Sequence, residues 1–278
     1  MGWGVKQGER TTMVSAMDFD LPGGRLKLER RGPIALLGLD RADKRNALDD
    51  AAILALESFF ARPPDDVRAV VLYGEGKHFS AGLDLTELSE RSASAGIAHS
   101  RRWHRAFDAI QFGSVPVVAV LHGAVVGGGL ELAAATHVRV AERSAFYALP
   151  EGERGIFVGG GGSVRITRLI GVARVMDMML TGRTYTAEEG LAIGLSQYVV
   201  DGRDAGMAKG IALAERIAGN APLTNFAILQ ALPRIAESGQ AEGLLTESLM
   251  TALAQGDPEA KRRIEAFLSK RAPKVGEA

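Results

Sequence analysis

Residues 115–133 constrain the fold of this chain more than any other stretch. A run of mostly β-branched apolar residues (115–121) precedes a glycine turn at residues 127–129, after which apolar residues continue around one carboxylate, Glu131. This order predicts a buried strand, a turn and the start of a helix. Glycines let a backbone approach a ligand closely, and the first N–H groups of a helix have no intrahelical partner. The turn is therefore suited to stabilise an oxygen that gains negative charge.

The rest of the chain alternates between strand and helix patterns. Residues 25–30 and 33–39 predict a β-hairpin, and residues 69–73 and 95–112 predict a further strand and an amphipathic helix. Helix patterns dominate from residue 163 onward. We therefore predict a mostly parallel α/β core at residues 23–200, a helical C-terminal region at residues 201–278 and a loose N-terminal extension at residues 1–22.

Composition excludes several classes of function. Lysine plus arginine and aspartate plus glutamate balance at 33 each, which argues against nucleic acid or an anionic membrane as the partner. The chain has no cysteine, so thiolate catalysis and Cys-ligated metals are excluded and the cytoplasm is the expected compartment. Its five histidines lack HExxH spacing, so no metal site is predicted. No apolar run approaches the roughly 20 residues that a membrane-spanning helix needs.

Two glycine-containing turns, at residues 80–82 and 127–129, each follow a predicted strand. Neither has the Lys-Ser/Thr ending of a phosphate-binding loop or a GxGxxG pattern with an acidic residue at the required distance, and Ser80 lacks a GxSxG elbow. Two carboxylates, Glu131 and Glu151, lie beyond the second turn. Glu131 could simply stabilise a helix N-terminus and Glu151 could belong to an ordinary turn. A pair of carboxylates is equally what acid–base catalysis needs.

Three motifs in order resemble the crotonase (enoyl-CoA hydratase/isomerase) superfamily, and the resemblance runs from about residue 25 to the C-terminus. They are RADKRNALD at residues 41–49, HFSAGLDL at residues 78–85 and HGAVVGGGLELA at residues 122–133, which continues into ALPEGERGIFVGGGGSVRITRLIG at residues 148–171. The resemblance implies an α/β fold with a crotonase-like ββα superhelical core and a helical C-terminal trimerisation region. It also implies a homotrimer or homohexamer.

The resemblance further implies the residues of an acyl-CoA site. The backbone N–H groups of Ala81 and Gly128 would form an oxyanion hole for the thioester carbonyl, and Glu131 and Glu151 would be the catalytic glutamates. No separate cofactor is implied, because coenzyme A is part of the substrate. The implied contacts with coenzyme A, of which the last two would reach a neighbouring subunit, are Lys44, Arg45, Phe79, Gly82, Leu83, Asp84, Phe267 and Lys270.

The implied reaction is that of a lyase, the hydration of a trans-2-enoyl-CoA to the 3-hydroxyacyl-CoA. Double-bond isomerisation with one glutamate shuttling the proton, and acyl-CoA binding without turnover, are the alternatives. The residues Gly152-Glu153-Arg154 replace the apolar residues usual after the second glutamate, which could signal an unusual substrate or a shifted pKa of that acid. Gly159 occupies the position where dienoyl-CoA isomerases need an aspartate, which counts against that subgroup.

Overall fold

The computed structural model describes residues 22–87 and 92–269. The predicted N-terminal extension, apart from Pro22, and the predicted coenzyme A contact Lys270 lie outside the described residues. The strands are β1 (Leu26–Arg31), β2 (Ile34–Leu39), β3 (Ala69–Gly74), β4 (Val117–Leu121), β5 (Ala124–Val126), β6 (Val138–Glu142), β7 (Phe146–Ala148), β8 (Tyr185–Thr186) and β9 (Tyr198–Val200). The helices are α1 (Asp50–Ala61), α2 (Ala93–Gln111), α3 (Gly128–Ala134), α4 (Gly162–Ile170), α5 (Val172–Thr181), α6 (Ala187–Ile193), α7 (Arg203–Ala218), α8 (Pro222–Glu237), α9 (Gln240–Gly256) and α10 (Pro258–Leu268).

The main sheet has the strand order β1-β2-β3-β4-β6-β9, and a smaller sheet pairs β5, β7 and β8. The first two strands form the predicted antiparallel hairpin, and the remaining pairs of the main sheet are parallel. Parallel neighbours need crossover connections, which the helices between them supply. Strands β2, β3 and β4 are buried along their whole length, which explains why they read as continuous apolar runs rather than as alternating patterns.

Helices cover both faces of the main sheet. On one face α1 and α2 pack together over the larger hydrophobic cluster, which contains Phe59 and Phe107. On the other face α7 lies against the sheet, where a Cβ on Gly210 would stand 2.5 Å from Val120 Cγ2. Only a glycine at this position allows so close an approach. The helix α7, although it follows the predicted boundary at residue 200, thus packs on the sheet of the core.

The last three helices extend beyond this core. Helix α8 packs against α9, and α9 against α10. These helices expose large apolar side chains, among them Leu232, Leu245, Leu253, Ile264 and Phe267. The predicted trimer or hexamer would cover such a surface, and it stays a prediction. Within the described ranges, no helix combines the length and apolarity that crossing a membrane requires.

Candidate active site

The glycine turn predicted at residues 127–129 lies between β5 and α3 and contacts three other segments of the chain. A Cβ on Gly127 would stand 2.9 Å from Oε1 of Glu151, and one on Gly128 would stand 2.7 Å from Cζ3 of Trp103. A Cβ on Gly129 would lie 2.5 Å from the carbonyl oxygen of Ser80. Gly127 also has a φ of 52°, in the left-handed region that favours glycine. The turn therefore needs glycine both for its conformation and for the close approach of its neighbours.

The loops of the first two sequence motifs are clamped side by side next to this turn. Arg41 Nη1 lies 2.7 Å from Asp84 Oδ2. The backbone adds two hydrogen bonds, from Leu48 N to Gly82 O (2.8 Å) and from Asp84 N to Leu48 O (2.9 Å). Ser80 Oγ, in the second motif, donates a hydrogen bond to the carbonyl oxygen of Asn46, in the first motif, at 2.8 Å. Both neighbours of Leu83, Gly82 and Asp84, are hydrogen-bonded to Leu48. These two bonds fix the position of the Leu83 N–H.

The structure corrects one half of the predicted oxyanion hole. The N–H of Ala81 donates to the carbonyl of Arg45 at 2.9 Å, so it is not available to a ligand and the prediction for Ala81 is wrong. Leu83, two residues later in the same motif, lies next to Gly128: its N is 3.3 Å from where a Cβ of Gly128 would be. Neither Leu83 nor Gly128 donates its N–H to an acceptor within the described part of the chain. Both residues line the same cavity.

Glu131 is held in one orientation by backbone N–H groups. Its side chain lies in the first turn of α3 and the residue is only 3% exposed. Oε1 accepts hydrogen bonds from Gly160 N and Gly162 N, both at 2.8 Å. Burial raises the pKa of Glu131, and the two N–H donors act in the opposite direction because they stabilise the charged form. The glycine run that follows the Pro-Glu-Gly loop thus serves as the cradle of this carboxylate.

Arg165 fixes that glycine run to α2. The residue is buried on α4, and its Nη1 donates to Gly160 O at 2.9 Å. Its Nε donates to Gln111 Oε1 at 2.6 Å, and its Nη2 pairs with Asp108. The sequence reasoning did not single out Arg165. The available signal was a cation on the apolar face of a predicted helix directly after the glycine run, where an arginine is rarely placed without a partner.

Glu151 is a second buried carboxyl group, but one without a complete set of partners. It lies in the loop after β7, is 5% exposed, and its Oε2 is buried with no hydrogen-bond partner. Burial, assisted by the charge of Glu131, raises the pKa of Glu151 to about 7. A carboxyl group with a pKa near neutrality can both donate and accept a proton at physiological pH. The two glutamates therefore have different environments: Oε1 of Glu131 accepts two backbone hydrogen bonds, whereas Oε2 of Glu151 has no partner.

A cavity of about 810 Å³ brings these groups together. Its wall contains Leu83, Gly128, Glu131 and Glu151, and its size falls within the range of about 300–1,000 Å³ that is usual for small-molecule sites. The rest of the wall comes chiefly from α2, including Trp103, and from residues 154–160, with Ala81, Leu85 and Gly127 completing it. Among residues 22–87 and 92–269, no group of three or more His, Asp or Glu side chains is arranged to hold a metal ion.

The predicted coenzyme A contacts are placed unevenly around this cavity. Two of them cannot act through their side chains: Phe79 is fully buried in the core, and the Asp84 carboxylate is engaged by Arg41 and by the hydroxyl of Thr86. Lys44 is exposed on the clamped loop. The remaining described contacts are Arg45, which is exposed on the same loop, Gly82, whose φ of 87° requires glycine, Leu83, which lines the cavity, and Phe267, which is exposed on α10.

Comparison with known proteins gives one consistent result. The family model for enoyl-CoA hydratase/isomerase matches residues 29–278. The 2,3-dehydroadipyl-CoA hydratase of Escherichia coli (strain K12) is 32% identical over 252 residues, which cover 89% of this chain and 97% of that protein. A crystal structure of a protein from Rhodopseudomonas palustris CGA009, assigned as an enoyl-CoA hydratase, has a TM-score of 0.86 and 59% identity and covers 89% of this chain and 95% of its own. The enoyl-CoA hydratase from Bacillus anthracis has a TM-score of 0.83 at 28% identity, with coverage of 90% and 98%.

Proposed function

Because this chain belongs to the enoyl-CoA hydratase/isomerase family, we propose that it adds water across the C2=C3 double bond of a trans-2-enoyl-CoA and forms the 3-hydroxyacyl-CoA. One observation carries the proposal. Two buried glutamates in different environments, Glu131 and Glu151, line the same cavity as two unused backbone N–H groups, those of Leu83 and Gly128. These are the groups that the addition of water beside a thioester carbonyl requires.

The N–H groups of Leu83 and Gly128 are proposed to bind the thioester oxygen. Attack of water at C3 moves electrons onto this oxygen, which becomes an enolate. Donors that are already in position stabilise that charge without reorganising, and one such donor contributes about 3–4 kcal/mol in comparable sites. The clamp between the first two motif loops keeps Leu83 in place, and the clash with Trp103 keeps any side chain out of position 128.

The glutamates divide the proton transfers. The water oxygen forms its bond to C3 while Glu131 takes a proton from the water, and Glu151 gives its own proton to C2. Glu131 takes the role of base because the Gly160 and Gly162 N–H groups stabilise its charged form against the burial that raises its pKa. Glu151, with a pKa of about 7 and an unpartnered oxygen, suits the role of acid. A proton passed from Glu131 back to Glu151 through solvent restores the starting state. Coenzyme A belongs to the substrate, so the reaction needs no further cofactor.

Hydration of crotonyl-CoA, followed as loss of enoyl-thioester absorbance, tests the proposal. Glu131→Gln and Glu151→Gln should each lower kcat by about 10²–10⁴-fold, because each removes one proton transfer. Glu153→Gln is the matched control, because this carboxylate is exposed on the same loop and does not line the cavity. It should keep the turnover of the wild-type protein.

Two outcomes would redirect the assignment. If the wild type and both glutamine variants bound acyl-CoA esters of several chain lengths but hydrated none, the hydratase proposal would be refuted and a binding role would replace it. If the Glu131 variant kept full turnover while the Glu151 variant lost it, a single glutamate would be shuttling the proton and double-bond isomerisation would be favoured. The contacts of Phe267 and Lys270 with coenzyme A on a neighbouring subunit, and the trimer that they need, remain predictions.

A further inference from the structure

The wall of the cavity divides into parts that the proposed reaction uses and parts that it leaves to the acyl chain. The thioester carbonyl is assigned to Leu83 and Gly128, and C2 and C3 to the two glutamates. The remaining wall comes chiefly from one face of α2 and from residues 154–160. These two elements are joined where Ser100 Oγ donates to Gly159 O at 2.6 Å. The part of the acyl chain beyond C3 is therefore expected to lie between them.

This acyl wall combines an apolar surface with two arginines. Ile97, Trp103 and Phe157 are apolar residues of this wall, and Arg101 on α2 and Arg154 in the facing segment also line it. No ion pair of either arginine is formed within residues 22–87 and 92–269, although many other arginines of the described chain pair with a carboxylate. Among the described residues, the carboxylates of the cavity wall are Glu131 and Glu151, and both are assigned to the reaction.

We propose that the acyl group preferred by this enzyme carries a terminal carboxylate, which Arg101 and Arg154 bind. The inference rests on the proposed function, which defines the acyl end of the cavity. A guanidinium group recognises a carboxylate through charge-assisted, often bidentate hydrogen bonds. An apolar wall with cations at its edge suits methylene groups followed by an anion, whereas an alkyl chain would leave the two arginines unused. Arg154 belongs to the three residues that replace the apolar residues usual after the second glutamate. This proposal gives it a role in substrate choice.

Two thioesters that differ only at the chain end test the inference. One is trans-2-hexenoyl-CoA, and the other is the same thioester with its terminal methyl group replaced by carboxylate. The wild type should hydrate the carboxylate-ended substrate with a kcat/KM about tenfold or more above that of the methyl-ended one. Arg154→Gln and Arg101→Gln should each reduce this preference, and the double variant should remove it, so that its kcat/KM is the same for the two substrates.

Arg102→Gln is the matched control. This residue neighbours Arg101 on α2, but its Nη2 pairs with Asp50 Oδ2 at 3.0 Å and it does not line the cavity. It should leave the preference unchanged. Equal losses for both substrates in the Arg101 and Arg154 variants would overturn the inference, because the arginines would then act on a shared part of the substrate, such as the phosphates of coenzyme A, or on Glu151.

Failure of the proposed function gives a different result. If the wild type hydrated neither thioester, the hydratase assignment would fail, and calorimetric binding of the two saturated acyl-CoA analogues would decide the inference separately. Tighter binding of the carboxylate-ended analogue, lost in Arg154→Gln, would support it. Equal binding of the two analogues would overturn it.

Discussion

The buried carboxyl group of Glu151 makes the stability of the protein depend on pH, and Glu151→Gln measures this dependence. In the folded protein the pKa of Glu151 is about 7, against 4.5 for an ordinary glutamate. The folded state thus binds this proton more tightly than the unfolded state does. The resulting contribution to stability is fully present below pH 4.5 and is lost as the pH rises through 7. A shift of this size corresponds to about 3 kcal/mol.

Glutamine has nearly the same shape but no proton to lose. Relative to the wild type, the free energy of unfolding of Glu151→Gln should therefore rise by about 3 kcal/mol between pH 4 and pH 9. Urea unfolding at one protein concentration, repeated across this pH range, gives the difference directly. Glu153→Gln controls for removing a charge from the same loop, since Glu153 is exposed to solvent. A difference between Glu151→Gln and wild type that stays constant with pH would refute the argument from burial.

Four further results are expected. Gly128→Ala should lower kcat for crotonyl-CoA by about 10²–10³-fold, because its Cβ would stand 2.7 Å from the Trp103 ring and displace the N–H of residue 128. Steady-state kinetics measure this effect, and thermal unfolding controls for a loss of stability. For the wild type, kcat/KM of hydration should fall about tenfold per pH unit above pH 7 as Glu151 loses its proton, and Glu151→Gln should lack this limb. Arg165→Met should lower kcat by up to about 100-fold with little change in KM, and Arg165→Lys should restore part of it, since the residue only positions the glycine run. Asp49→Ala should cost about 2 kcal/mol in urea unfolding, because Asp49 caps α1 and pairs with two arginines.

The elements of the fold could be predicted because their signals are local. The hairpin of β1 and β2, the buried strand β4 and the glycine turn that starts α3 all depend on short patterns of apolar residues and glycine, whereas the short strand β5 before that turn was not predicted. Glu131 and Glu151 could be chosen because few carboxylates in this chain stand in apolar or glycine-rich surroundings. The resemblance of the three motifs to the crotonase superfamily then indicated that both glutamates belong to one site.

The details of the site could not be predicted because they depend on directions and on distant partners. Residues 80–83 contain several small residues in succession, and a sequence does not tell which N–H of such a run points toward a cavity. Ala81 was the wrong choice because its N–H is used by Arg45, 36 residues earlier, in a bond that only the folded chain makes. The role of Arg165 was equally hidden, since its partners Asp108 and Gln111 lie on another helix.

The three successive glycines beside β5 also restrict how a protein of this kind can change. Because they have no side chains, residues from three separate parts of the chain pack directly against their backbone: Glu151, Trp103 and Ser80. A methyl group at any of the three positions would displace one of these residues and change its distance from the other two. Natural variation is therefore expected to leave these glycines alone and to accumulate in α2 and in residues 154–160. A new substrate can be acquired in those segments without disturbing the part of the site that performs the reaction.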